Sequence, residues 1–285
     1  MISSIRMKAT ILTALLLLTQ TASAFEVNIL PKNPKPGDIL NIEVIGIDNP
    51  HRAELVFRSK TYPLYAVAPG RMRALIGLTA RDKPQLEYLR VVRKRFLLPD
   101  QTITLSLEIG KRKYTHQRIR MPKKKAKLPK KTGAKKAIQI IRGALKKDSS
   151  KQNWEGVFLR PAKGRRSSKY GHTRTVNGKP WDWHKGIDIA AKDGHPVVAP
   201  NGGRIVLTGS YPVQGGTIIL DHGQGVMSIF MHLHEFNVES GQDVAKGDRI
   251  AAVGGGGFST GSHLHWGIYI HGAPVNPERL MEHRL

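Results

Sequence analysis

The stretch Gly261-Ser262-His263-Leu264-His265-Trp266-Gly267-Ile268-Tyr269-Ile270 puts two imidazoles on one face of a β-strand and Leu264, Trp266, Ile268 and Ile270 on the other. Side chains at i and i+2 share a strand face, so the apolar set has a core to join while His263 and His265 point together away from it. Upstream, His184-Lys185-Gly186-Ile187-Asp188 adds a further imidazole and a carboxylate. The two segments together supply a His/Asp/His set. Three protein ligands with a fourth position left for water is the arrangement of catalytic rather than structural zinc. His-x-His alone is a weak sign; its conjunction with the second segment carries the reading. Ten of the twelve histidines fall between His172 and His283, and the chain has no cysteine, so thiolate sites are excluded.

Working outward, His184-Lys185-Gly186-Ile187-Asp188-Ile189, Phe230-Met231-His232-Leu233 and Ser259-Thr260-Gly261-Ser262-His263-Leu264-His265 occur in that order. In this they resemble the lysostaphin/LytM-type zinc endopeptidases, which cut peptide cross-links of bacterial peptidoglycan. The resemblance covers about residues 154–280, starting at Phe158-Leu159-Arg160-Pro161 and Ser168-Lys169-Tyr170-Gly171. Ser262 stands where the family usually has proline and Phe230 where it usually has tyrosine; neither change removes a ligand. The resemblance implies one zinc on His184, Asp188 and His265, with His263 and His232 as unligated imidazoles for proton transfer. His234, two residues beyond His232, competes with it for that role. His222 is expected to be structural, and His172, His195, His271 and His283 solvated. Tyr170, Arg174, Asn177, Trp181 and Trp183 are candidates either for lining a groove or for packing.

The remaining chain divides by composition. Arg6 and Lys8, the apolar run Ala9 to Leu18 and Ala22-Ser23-Ala24 predict a signal peptide over residues 1–24, hence export to periplasm or cell wall. From Phe25 to about Met121, short alternating runs such as Leu40-x-Ile42-x-Val44 and Ile103-x-Leu105-x-Leu107-x-Ile109 are separated by turn signals. They predict an immunoglobulin-like β-sandwich. Residues 122–153 are expected to be a basic, extended linker carrying a short amphipathic helix with the stripe Ala137, Ile138, Ile141, Ala144 and Leu145. That stripe is expected to pack on the catalytic domain. Residues 154–285 give strand after strand, and Gly241-Gln242-Asp243-Val244-Ala245-Lys246-Gly247-Asp248 resembles a turn of barrel-sandwich-hybrid folds. The fold class is therefore all-β: a sandwich followed by an antiparallel β catalytic domain. Gly254-Gly255-Gly256-Gly257 is expected to form a flexible rim beside the cleft.

Charge narrows the partners. Residues 1–24 hold two of 46 basic residues and none of the 21 acidic ones, so the rest carries a formal charge of +23. Between Glu108 and Asp148 there are 16 lysines and arginines and no acid. Such a chain is expected to adsorb to an anionic wall or membrane surface through its linker. No nucleic-acid-binding signature accompanies the charge, so nucleic acid is not expected as a partner. A monomer acting on peptidoglycan peptides is the leading expectation, and a non-enzymatic relative that binds the wall and activates amidases is the alternative. The sandwich, which lacks catalytic residue clusters, is expected either to restrain the catalytic domain or to target it.

Overall fold

A computed structural model describes residues 25–130 and 132–285. The signal peptide expected over 1–24 lies outside the described residues. Eight strands come first: β1 (Glu26–Leu30), β2 (Ile39–Ile45), β3 (Ala53–Phe57), β4 (Lys60–Tyr62), β5 (Tyr65–Ala68), β6 (Arg71–Gly77), β7 (Gln85–Arg93) and β8 (Gln101–Ile109). They make two four-stranded antiparallel sheets, ordered β1-β2-β6-β5 and β4-β3-β7-β8. The alternating runs explain why. Leu40, Ile42 and Val44 with Ala74 and Ile76 meet Leu55, Phe57, Leu89, Val91, Leu107 and Ile109 between the sheets.

The first sheet has an apolar patch on its other face too. Ile39 and Leu75 point away from the sandwich and join the core of the second half of the molecule. Close approach depends on Gly77, where an added Cβ would lie 2.8 Å from Val275 Cγ1 and 3.2 Å from Ala273 Cβ. Arg73, on the same face, is buried against Gln224 and Gln152 and sits over the Trp154 ring. The two halves thus meet through a shared apolar contact and a buried polar one.

The segment expected to be an extended linker is folded. After β8 comes β9 (His116–Ile119), then helix α1 (Lys123–Ala126) and helix α2 (Ala134–Ala144). Lysines repel one another along the chain, but here Lys123, Lys124, Lys127 and Lys130 face solvent while Lys125 reaches Gly255 O and Ser259 Oγ in the C-terminal half. Ala134, Ala137, Ile141 and Ala144 form the buried stripe of α2, with Leu145 just beyond. Ile141, Ala144 and Leu145 pack on Ile219, Met227, Ile229 and Tyr269, whereas Ile138 stays exposed.

The C-terminal half adds β10 (Arg165–Ser168), β11 (Thr173–Val176), β12 (Lys179–Trp181), β13 (Ile187–Ala190), β14 (Pro196–Val198), β15 (Gly203–Tyr211), β16 (Gly215–Gly223), β17 (Val226–Phe236), β18 (Asp243–Val244), β19 (Arg249–Val253), β20 (His263–Ile270), β21 (Ala273–Val275) and helix α3 (Glu278–Glu282). The main sheet is antiparallel in the order β10-β13-β20-β17-β16-β15-β18, with β19 also on β17, β14 on β19, and β21 on β20. One face, holding Ile187, Ile189, Phe230, Leu264, Trp266, Ile268 and Ile270, is the main core. The opposite face carries the α2 contact and, further along the same strands, the histidines. β9 lies parallel to β11, His116 opposite Thr173 through Ile119 opposite Val176, and completes a three-stranded sheet with β12. The expected boundary at Met121 therefore falls after a strand that already belongs to the C-terminal half.

Candidate metal centre and cleft

Strand register brings the acidic and basic candidate ligands together. Asp188 in β13 is directly opposite His265 in β20, and cross-strand partners share a face. His184 approaches from the turn before β13. Its Nε2 lies 2.9 Å from Asp188 Oδ1 and 3.0 Å from His265 Nδ1, and that Nδ1 is 2.9 Å from the same oxygen. Gly186 permits this, because a Cβ there would come within 2.9 Å of the His265 ring and would strike the Trp266 carbonyl.

These three atoms form a poor hydrogen-bond set and a good cation site. His184 donates its Nδ1–H to the Lys169 carbonyl at 2.8 Å, which leaves Nε2 as a lone pair. That lone pair faces a carboxylate oxygen, and two acceptors repel. Protonating the ring is no remedy, since burial pushes the pKa of His184, and likewise of His265, down. Burial works against the Asp188 carboxylate, yet this carboxyl stays well below the usual range. Two neutral imidazoles and one carboxylate is a fitting donor set for zinc. Tetrahedral bonds of about 2.0–2.1 Å give ligand–ligand edges of about 3.3 Å, so the three atoms need spread only by a few tenths of an ångström.

Neighbouring side chains fix the carboxylate. Asp188 Oδ2 accepts from Arg174 at 3.0 Å, leaving Oδ1 to the imidazoles. Arg174 also donates to Ser168 Oγ at 2.9 Å and, through Nε, to Gln117 Oε1 at 3.0 Å. Ser168 in turn donates to Gln117 Oε1 at 3.0 Å. Gln117 thus reaches from β9, 57 residues before Arg174 in the chain, into the support of the ligand set.

Two further imidazoles lie alongside. His263, opposite Ala190 in the register, donates Nδ1–H to Gly261 O at 2.9 Å, and its Nε2 is 3.8 Å from Asp188 Oδ1. Strict alternation along β17 would send His232 to the core face, since its neighbour Met231 is paired with His265. A left-handed backbone at His232, φ 64°, breaks the alternation where the pairing shifts register, and the ring turns to within 4.7 Å of that of His263. Such a conformation in a non-glycine residue is costly and is found where a side chain must be re-aimed. His232 donates Nδ1–H to Gly256 O at 2.8 Å, and burial, aided by His263 and His265, pushes its pKa down to about 3. His234 is exposed and pairs with Asp193 instead.

The cleft above these groups encloses about 280 Å³ and is lined by residues from both sides of the expected linker boundary, among them Gln117, Ile119, Arg174, Trp181, Phe258 and His263. Trp181 and Phe258 stack across it at 4.7 Å between ring centres. The glycine-rich rim is tied down, because Lys125 donates to Gly255 O at 2.7 Å and to Ser259 Oγ at 3.1 Å. Lys125 thus braces the cleft wall as well as belonging to the charge run. A larger cavity of about 790 Å³, beside Asn201, Arg204 and Asp243, contains none of these imidazoles.

The other expected positions sort by their contacts. Tyr170 and Trp183 are packing residues, and the Tyr170 hydroxyl bridges Ala80 N and Pro274 O. Asn177 holds the backbone of Met121. His222 is fully buried between Gly202 O and Ser228 Oγ. His271 is not solvated; it stacks on Tyr65 at the junction of the two halves. The sequence marks Gln117 only as a polar residue in a short segment between basic runs.

Residues 182–277 match the model of peptidase family M23. An uncharacterized metalloprotease of Haemophilus influenzae is 42% identical over 96 residues, covering 33% of this chain and 20% of that protein. The peptidoglycan DD-endopeptidase ShyA of Vibrio cholerae is 38% identical over 93 residues, covering 33% of this chain and 22% of its own length. The chain therefore spans about a fifth of the length of these curated relatives. A Pseudomonas aeruginosa crystal structure described as an M23 peptidase superposes with a TM-score of 0.64 over 88% of this chain and 96% of that one, at 24% identity, a likeness of fold.

Proposed function

We propose that this chain, whose residues 182–277 form a peptidase family M23 domain, is an exported zinc metalloendopeptidase that hydrolyses peptide cross-links or bridges of peptidoglycan. The observation that carries the reading is the convergence of His184 Nε2, Asp188 Oδ1 and His265 Nδ1 within 3.0 Å, with two further imidazoles beside them. Zinc at these ligands supplies a Lewis acid that polarises the scissile carbonyl and lowers the pKa of water. The chain's own groups manage the protons. His232 and His263 each commit Nδ1–H to a backbone carbonyl, which leaves Nε2 of each as a lone pair beside the cleft. The pair takes the proton from the attacking water and returns it to the leaving amine, so that amide and water become carboxylic acid and amine. Arg174 keeps one oxygen of Asp188 occupied, and Trp181 with Phe258 restricts entry of bulk water from above.

The complete ligand set counts against the non-enzymatic alternative. The test is digestion of purified sacculi by the full chain with zinc, followed by identification of new termini. New amino termini within stem or bridge peptides are expected. Release of intact stem peptides through amidase cleavage, or no release with the site loaded, would overturn the reading.

A further inference from the structure

The connection between β7 and β8 exposes three consecutive large apolar side chains: Phe96 is 80% exposed, Leu97 87% and Leu98 59%. Single exposed apolar residues are ordinary, but an uncovered run at one loop apex is not. The loop is also held in shape. Arg95 donates through Nε to Pro99 O at 2.7 Å and through its backbone to Asp100 Oδ1 at 3.2 Å, and Leu97 takes a left-handed turn, φ 57°. At its base lie Arg52, Arg93, Lys94 and Arg95 with Glu54 and Asp100; Lys94 N is bonded to Arg52 O at 2.7 Å and Lys94 Nζ lies 3.4 Å from Glu54 Oε2.

We infer that this tip is a peripheral membrane anchor, with Phe96, Leu97 and Leu98 entering an anionic phospholipid bilayer at the headgroup–acyl boundary and the basic residues resting on lipid phosphates. A convex wedge of three residues offers a protein partner little of the flat, packed area that a stable interface needs. A small apolar insertion with a basic collar is what an anionic lipid surface takes. Orientation agrees as well. Arg81 meets Asp182 and Ala80 meets Tyr170 just before β7 begins, so that end of the strand adjoins the C-terminal half. The tip lies beyond the other end of the strand, roughly 26 Å away at about 3.3 Å per residue step. Docking there leaves the cleft uncovered.

The test is co-sedimentation of the full chain with vesicles of 70:30 phosphatidylcholine and phosphatidylglycerol. The lysine run attracts such vesicles by itself, so the apolar substitutions decide. F96S/L97S/L98S, with unchanged circular dichroism and unchanged turnover of a soluble peptide, is expected to lower vesicle partitioning about tenfold or more. Phe96→Trp is expected to shift its emission to the blue, relative to the parent, and to be quenched by brominated acyl chains. Equal partitioning by the triple variant, or unmoved Phe96→Trp emission on bound vesicles, would overturn the anchor. So would self-association that the triple variant abolishes while vesicle binding persists, which would make the tip a protein contact.

Discussion

Asp188 divides its oxygens between two tasks, Oδ1 facing both imidazoles and Oδ2 facing Arg174. The guanidinium is itself held by Gln117 and Ser168, so a side chain from β9 reaches Asp188 through Arg174. Outer contacts of this kind typically govern about 10- to 100-fold in metal affinity. Gln117→Ala is expected to weaken zinc retention about tenfold against a competing chelator while leaving the fold intact; unchanged retention would make Gln117 a spectator. At this scale much was legible. His263 and His265 stand out by strand alternation, and His184 and Asp188 by motif order, because the candidate site draws on side chains that share one face. Gln117 did not, since it is 57 residues from Arg174 along the chain and hydrogen bonding leaves no periodicity. The aim of His232 was legible only by resemblance, because a single left-handed residue inside a strand has no compositional mark.

Among the elements, the hairpin of β16 and β17 carries a buried histidine whose function is structural. His222 bridges Gly202 O and Ser228 Oγ, and burial pushes its pKa down to about 4. The unfolded chain binds a proton there near pH 6.5, whereas the folded one does not until about pH 4. Between those values the unfolded state holds more protons, so stability is full above about pH 6.5 and falls as pH drops toward about 4. His222→Gln is expected to flatten the decline of Tm across that window; an unchanged slope would place the acid sensitivity elsewhere. The strands themselves were readable where they alternate, as in β2, β6, β8 and β20. Short β10, β11 and β12 were not, because three or four polar residues show no period. The basic segment misled for a physical reason: charge repulsion predicts extension, but docking of the α2 stripe and of β9 on the C-terminal half prevails over it.

Over the whole molecule, Ile39 and Leu75 of the sandwich sit in the core of the C-terminal half, and Tyr65 and His271 stack at the junction. A cut at residue 151 removes β9 and α2 along with the sandwich. It uncovers Ile219, Met227, Ile229 and Tyr269 and deletes Gln117 and Lys125 from the cleft and its rim. Residues 151–285 are accordingly expected to melt lower and turn over more slowly than the full chain. Residues 110–285 are expected to retain the cleft and lose chiefly the cover of Ile39 and Leu75. Faster turnover by 151–285 at equal zinc would mean that these elements restrain the site more than they build it. The central claim, a division between three ligands and two proton-transferring imidazoles, is tested most directly by measuring zinc content and peptide turnover on the same samples of Asp188→Ala and His263→Ala in the full chain. Asp188→Ala is predicted to lose both zinc and turnover, and His263→Ala to keep zinc while turnover falls about 10²–10⁴-fold; a zinc-free but active Asp188→Ala protein, or a His263→Ala protein that loses its zinc, would contradict it.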